Sequence, residues 1–344
     1  MRCGRWESSK ELGVGGQGSA YLAFDAEART DALARLRAVL VEAGVTGSPD
    51  LAAELLLDFL RRDVSPTPDN ELAVVKSYKI PSGPKGDQAR ERFRIEVAAL
   101  EDLRGNPAVL QLIETNADDG WMATEYQPFG TLDKNLDRFA GRPLESLEAL
   151  RPIIAAVAEL HKNGRVHRDI KPENIFVGRD RQLVLGDFGI VFFADPEKTR
   201  LTNTLERVGT QVWMAPWVNT GTRLEDVPPN FDVFALGKVL WSMVSGKLTP
   251  LPFWWWSKTP HNLETLNADA DMRFINRLLS HTVVEEEADC YPNAQTFLMF
   301  VDQTIDTMRH RGRLFRNDLP GRCTICGTGQ YRPPWKAASE RWSS

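Results

Sequence analysis

Residues 166–177 read VHRDIKPENIFV. Six polar or charged side chains, His167, Arg168, Asp169, Lys171, Glu173 and Asn174, fall within eight positions, with apolar residues on both sides. A solvated loop does not need apolar shoulders, and burying that many charges without partners is costly. The stretch therefore reads as a firmly held loop whose carboxylate, cation and amide serve chemistry. A second acid follows in GDFG, at Asp187. Asp169, Asn174 and Asp187 supply two carboxylates and an amide oxygen, hard ligands of the kind Mg²⁺ takes together with phosphate oxygens. A carboxylate left free of metal can accept a hydroxyl proton.

Working outward toward the N-terminus, ELGVGGQGSAYLAF (11–24) fits G-x-G-x-x-G at Gly13, Gly15 and Gly18, with Ala20 two residues on. Without a Cβ, glycines let backbone amides approach phosphate oxygens. In a dinucleotide-binding fold the last glycine opens a helix. Here SAYLAF reads as strand, and a plain hairpin turn is the competing reading. LAVVKSYKI (72–80) is a second strand, rich in β-branched and aromatic residues, carrying Lys76 beside Val74 and Val75. DQARERFRIEVAALEDL (87–103) is an amphipathic helix with Phe93, Val97 and Leu100 on one face and Glu96 beside them. Taken singly, Lys76 reads as a surface residue and Glu96 as part of a solvated face. Their order relative to Asp169, Asn174 and Asp187 gives them weight.

In this order and spacing the chain resembles the eukaryotic-type protein kinases, in particular the serine/threonine kinases of bacteria, from about Leu12 to Met308 with an interruption at 30–63. The resemblance implies an α+β bilobal kinase fold over residues 1–312. An antiparallel sheet with one long helix would form the N-lobe (about 1–125), a mainly helical C-lobe would follow (about 126–312), and 313–344 would be a tail. It implies ATP between the lobes, with Leu12 and the Gly13, Gly15, Gly18 loop over the nucleotide and Lys76, paired with Glu96, on the α/β-phosphates. Asp169 would orient or deprotonate the substrate hydroxyl, Lys171 would stabilise the transferring group, and Asn174 and Asp187 would hold Mg²⁺. Ala20, Ala73 and Phe176 would flank adenine, or else serve as ordinary core. Glu125, Tyr126 and Gln127 would form the hinge, with Thr124 as gatekeeper. Leu100, Leu112, His167 and Phe188 would stack into an apolar column joining the lobes.

The implied activity is transfer of a phosphoryl group from Mg-ATP to serine or threonine in a protein substrate. Lys171, two residues after Asp169, and Thr210 in GTQVWMAP carry the serine/threonine reading. Residues 187–216 would be the activation segment, with Thr199, Thr202 and Thr204 as acceptors of autophosphorylation and Arg168 as the cation that answers a phosphate. The rival readings are a catalytically silent kinase-like scaffold and a small-molecule kinase of the same fold.

Other features depart from the family. Its A-P-E sequence is here Ala215, Pro216, Trp217, and the arginine that pairs with that glutamate is replaced at the matching position by Tyr291. Both halves of a buried ion pair are absent together, and a contact between Trp217 and Tyr291 is the expectation in its place. Residues 30–63 read as an inserted helical hairpin with leucines at helical spacing, packing on itself, on the strands or on a partner. Trp254, Trp255 and Trp256 read either as a partner surface or loop cover, or as a local cluster. CTICGTGQY (323–331) looks like one zinc-ribbon knuckle, with Cys323 and Cys326 as Zn²⁺ ligands; a full site needs two more, for which Cys3, Cys290 and His310 are isolated candidates, and a missing second knuckle, an ion shared by two chains or no metal are the alternatives. The remaining strand candidates are near 108–114, 121–126, 174–177 and 182–185. Helices are expected from about 147, with Pro152 starting or kinking the first and Asn163-Gly164 ending it, and at 231–245, 271–280 and 292–311.

The totals agree with this picture. The 344 residues allow one two-lobed domain or two domains, and 42% hydrophobic residues can bury a sizeable core. Lys plus Arg number 42 against 47 Asp plus Glu, a net charge of −5 that argues against broad nucleic-acid binding. No apolar run approaches the roughly 20 residues of a membrane helix. MRCGRWESSK lacks a secretory core. Four cysteines, two of them in one C-x-x-C, fit a reducing cytoplasm better than a disulfide framework.

Overall fold

The computed structural model describes residues 1–14, 18–44, 48, 50–56, 72–178, 182–188, 212–218, 227–248, 251–252 and 259–314. The chain divides into two compact units, Met1–Asp302 and Gln303–Ser344. In the second, the described residues 303–314 are helical.

The N-terminal part of the first unit is a six-stranded antiparallel sheet in the order β1-β2-β3-β4-β6-β5. Its strands are β1 (Arg2–Cys3), β2 (Trp6–Val14), β3 (Gly18–Asp25), β4 (Leu72–Tyr78), β5 (Leu112–Asn116) and β6 (Trp121–Glu125). The glycine-rich stretch joins β2 to β3, so strand and not helix follows it. One face of the sheet buries Cys3, Trp6, Ala23, Ala73, Val75, Trp121 and Ala123. The part played by residues 2–10 exceeds what the polar run ESSKE suggests. Trp6 anchors it together with Cys3, Trp6 being fully buried and donating Nε1–H to Glu114 Oε2 at 2.9 Å.

Helix α1 (Ala26–Glu42) leaves β3 directly, earlier than residue 30, because Asp25 caps it. The Asp25 carboxylate accepts the N–H groups of Glu27 and Ala28 and pairs with Arg5 at 3.2 Å. Residues 50–56 form a second helix, α2. The pairs Arg37–Asp50 (3.1 Å) and Arg29–Glu54 (3.9 Å) join the two. The buried positions are the small Ala32 and Ala53, whereas Leu51 and Leu55 are exposed. Alanines let helices approach closely, and α1 carries apolar residues around much of its circumference, so the leucine spacing did not single out the packed face. Residues 57–63 lie outside the described residues.

Helix α3 (Pro84–Asp102) packs its inner face through Phe93, Glu96, Ala99 and Leu100. Between α3 and β5 the chain is fastened to strand β8 (Leu183–Leu185), which forms a hairpin with β7 (Ile175–Val177). Leu110 N–H donates to Leu185 O (2.9 Å), Leu185 N–H donates to Ala108 O (2.8 Å), and Arg165 pairs with Asp102 at 2.6 Å. These ties set the sheet against the loop that carries the acids.

The C-terminal part is helical: α4 (Pro143–Lys162), α5 (Asn230–Ser245), α6 (Leu263–Leu266), α7 (Met272–Leu279) and α8 (Ala294–Leu314). Helix α4 starts at Pro143 and runs through Pro152 to its cap at Asn163, with Gly164 beyond at φ 71°. The ladder bond lost at Pro152 is offset by a buried stripe of Leu147, Leu150, Ile153, Ile154, Val157 and Leu160. Helix α5 is buried all round, as a central core helix is. Gly237 permits this, since a Cβ there would lie 2.2 Å from Thr282 Oγ1.

Candidate active site

The opening stretch is held from below by Asp232 of α5, a fully buried carboxylate. It accepts the N–H of His167 (2.7 Å) and of Arg168 (2.8 Å), and lies 2.9 Å from His161 Nε2. Burial works to raise its pKa, but His161 and the other donors outweigh that and hold it below the usual range. Arg168 adopts φ 71° and Asp187 φ 55°. Left-handed backbone at non-glycine residues costs about 1–3 kcal/mol, and at Arg168 the two Asp232 bonds hold the turn in place.

At the top of this loop Asp169 receives Lys171 Nζ on both oxygens, at 3.0 and 2.9 Å. Asn174 Nδ2 donates to Asp169 O and to Asp169 Oδ2, each at 2.8 Å. Burial pushes the Asp169 carboxyl up, with Lys171 opposing, which makes it a better proton acceptor than a solvated aspartate. Lys76 of β4 donates to Glu96 Oε1 (2.9 Å) and to Asp187 Oδ1 (2.7 Å). Burial works against the Lys76 charge, but Asp187 and Glu96 hold its pKa well above the ordinary value. Burial likewise works to raise Asp187, and Lys76 outweighs it and keeps that carboxyl ionised. Glu96 is raised by burial despite Lys76.

The donor set suits Mg²⁺ with a nucleotide. Asn174 gives its amide hydrogens to Asp169, so Oδ1 remains as an acceptor. Among the described residues Asp187 is engaged through Oδ1 alone, and 42% of its side chain is exposed. Gly186 N–H donates to Asn174 O at 2.9 Å and couples the two positions. Mg²⁺ is commonly held by one or two protein oxygens plus phosphates. Phe176 packs on the backbone just before Asp187, where a Cβ at Gly186 would meet its Cε2 at 2.7 Å.

The remaining expected positions divide as follows. Leu12 is exposed on β2 and Gly13 faces open space, while Gly15 lies outside the described residues. Gly18 is required by the sheet itself, since a Cβ would lie 2.1 Å from Ser77 O. Ala20 pairs with Lys76 and Ala73 with Glu125, which puts them on adjacent strands. Thr124 is buried, and Glu125 N–H donates to Gln111 O at 3.0 Å where β6 leads into Tyr126 and Gln127. Leu100, Leu112, His167 and Phe188 are all buried, with the rings of His167 and Phe188 4.7 Å apart.

The expected contact of Trp217 with Tyr291 is replaced by other partners. Trp217 stands edge-on to Phe234 of α5 at 5.5 Å and 82°. Tyr291 stacks on Phe300 (4.8 Å) and Phe297 (5.9 Å). Phe234 lies in the helix that packs against residues 212–218, whereas Tyr291 is taken up by Phe297, Phe300 and, at 5.3 Å, His281. Lys238, one turn beyond Phe234, lies 4.7 Å from the centre of that ring and donates to Val212 O. Burial lowers its pKa to about 8.

Asp232, Lys238 and Tyr78, whose hydroxyl bonds Glu96, were not singled out by sequence. For Tyr78 a signal existed, because it follows Lys76 by two positions and so shares its strand face. Lys238 interrupts the apolar run FALGKVLW, but its partner is a backbone carbonyl that no residue type announces. Thr199, Thr202, Thr204, Thr210, Trp254–Trp256, Cys323 and Cys326 lie outside the described residues. Among the described residues no group of three His, Cys, Asp or Glu could hold a metal, and nothing there supports zinc. Cys3 and Cys290 are buried thiols, and burial pushes Cys290 up to about 12, far from a thiolate ligand. No helix among the described residues is long and apolar enough to cross a membrane.

Comparison with known proteins agrees with the fold. The family model for the protein kinase domain matches residues 64–309, most of the chain, and the chain belongs to that family. It is 31% identical over 176 residues to the phosphorylase b kinase gamma catalytic chain, liver/testis isoform, of Bos taurus, across 49% of this chain and 41% of that one. It is 30% identical over 164 residues to the serine/threonine-protein kinase PknL of Mycobacterium tuberculosis, across 46% of this chain and 39% of that one. It is 33% identical over 178 residues to the probable serine/threonine-protein kinase PkwA of Thermomonospora curvata, across 51% and 23%. The chain thus spans less than half the length of these curated relatives. The family implies ATP and Mg²⁺.

Proposed function

We propose that this chain is a serine/threonine protein kinase that transfers the γ-phosphoryl group of Mg-ATP to protein hydroxyls, including hydroxyls of its own activation segment. The observation that carries the reading is the meeting of two groups from distant parts of the chain. Lys76, bound to Glu96, reaches Asp187, while Asp169 is held by Lys171 and Asn174. In the reaction the substrate oxygen forms a bond to Pγ, the bond from Pγ to the bridging oxygen of ADP breaks, and the hydroxyl proton passes to Asp169. Lys171 offsets charge on the moving group, Lys76 holds the α/β-phosphates, and Asn174 and Asp187 hold Mg²⁺. Catalysis is then mainly positioning and electrostatics.

Leu12 with the Gly13, Gly15, Gly18 loop covers the nucleotide, and Ala20, Ala73 and Phe176 flank the base beside Glu125 and Gln127. The kinase domain takes in residues 1–312, with 313–344 as a tail, and works in the cytoplasm. Arg168 favours a modified activation segment, since its Nε is buried without a hydrogen-bond partner among the described residues and burial lowers its pKa. A phosphate on Thr199, Thr202 or Thr204 would answer that cation. Mass spectrometry of the protein incubated with Mg-ATP tests both parts. Phosphate on one of these threonines, absent from Asp169→Asn, is expected. No incorporation into the chain or into a general protein substrate would contradict the proposal.

A further inference from the structure

Tyr78 follows Lys76 by two residues on β4, so both side chains leave the same face of the strand. Its hydroxyl donates to Glu96 Oε2 at 2.5 Å, while Lys76 Nζ donates to Oε1 at 2.9 Å. Two donors from one strand therefore hold both oxygens of one buried carboxylate. The tyrosine bond has the length of a charge-assisted O–H···O⁻ contact. The Tyr78 ring is itself fixed. It meets Phe93 edge-on, with centroids 5.0 Å apart at 75°, and Lys76 Nζ lies 5.2 Å from its centre. Phe93 and Glu96 are three residues apart on α3, so Tyr78 grips two neighbouring positions on one helix face. Lys76 by contrast is shared, since Asp187 also takes it, at 2.7 Å.

From this division we infer that Tyr78 is a positioning residue of the phosphoryl-transfer site, and that its hydroxyl clamps Glu96, and with it α3, to β4. The clamp does not depend on Lys76. When Lys76 exchanges Asp187 for a nucleotide phosphate, Glu96 stays in place to orient it. This inference rests on the kinase reading above.

Tyr78→Phe removes the hydroxyl and keeps the ring against Phe93. Losing a hydrogen bond to a buried charge lowers kcat/KM for Mg-ATP by about 10-fold or more. A double-mutant cycle with Glu96→Ala, under single-turnover conditions, separates positioning from general support of the sheet. With no carboxylate left to clamp, Tyr78→Phe changes the rate by less than about 2-fold. Equal losses in both backgrounds would overturn the inference. Hydrogen exchange of the protein without nucleotide gives a reading that needs no activity. Amides of residues 93–100 exchange faster in Tyr78→Phe, and those of α5 are unchanged. If the wild type transfers no phosphate, the kinase reading fails, and exchange alone decides: faster exchange in α3 upholds the clamp, and unchanged exchange overturns it.

Discussion

Burial works against the charge of both Lys76 and Lys238, yet the two lysines are treated in opposite ways. Lys76 meets two carboxylates, and its pKa stands well above that of a free lysine even though burial opposes its charge. Lys238 meets the Val212 carbonyl and the face of Phe234, and burial alone brings its pKa to about 8. In the proposed function the first holds phosphate oxygens, a task that needs permanent charge. The second belongs to an anchor whose task is to fix the segment 212–218, for which a dipole and an aromatic face suffice. The absence of the family's glutamate and arginine fits this division. Breaking a buried ion pair at one end would cost roughly 3–5 kcal/mol, whereas here Trp217 lies on Phe234 and no ion pair is needed at that position.

The contrast can be broken or sharpened by substitution. Lys76→Met leaves Glu96 and Asp187 without their shared cation and should lower kcat/KM for Mg-ATP by about 10²–10³-fold. A loss below about 3-fold would place Lys76 outside the machinery. Lys238→Met should act on stability through pH. Between about 8 and the ordinary 10.5 the unfolded chain holds the proton more firmly than the folded one. Wild-type stability should therefore rise relative to Lys238→Met as pH climbs through that window, by up to about 3 kcal/mol. Urea titrations at pH 7.5 and 9.5 read the difference, and parallel behaviour of the two proteins would mean that the amine is not desolvated. Trp217→Ala should have the smallest effect. Losing the aromatic contact should raise KM for a protein substrate by up to about 10-fold and leave KM for Mg-ATP unchanged.

The residues of the phosphate side were legible because chemistry restricts both their types and their order. Only a few side-chain types supply hard oxygens, a proton acceptor or a phosphate-binding cation, and the order in which Lys76, Glu96, Asp169, Asn174 and Asp187 follow one another made them stand out together. The alternation of β4 and the 3.6-residue period of α3 placed Lys76 and Glu96 on regular elements. What stayed hidden depends on partners that carry no signature. Trp6 joins the sheet core through a strand that reads as polar, and Asp25 caps a helix that a leucine pattern had placed later. Helix α4 passes through Pro152 because its buried stripe outweighs one missing bond. Trp217 was expected against Tyr291 by analogy with an ion pair, yet an aromatic ring takes the nearest face available, and Phe234 offered it.

The central claim is that Asp169 and Asp187 do different work in one phosphoryl transfer. Incorporation of labelled phosphate from Mg-ATP into a protein substrate, compared among wild type, Asp169→Asn and Asp187→Ala, tests it most directly. Asp169→Asn should keep nucleotide affinity while transfer falls by about 10²–10⁴-fold. Asp187→Ala should lose both transfer and the Mg²⁺-dependent part of nucleotide binding. Equal incorporation by all three proteins would contradict the account.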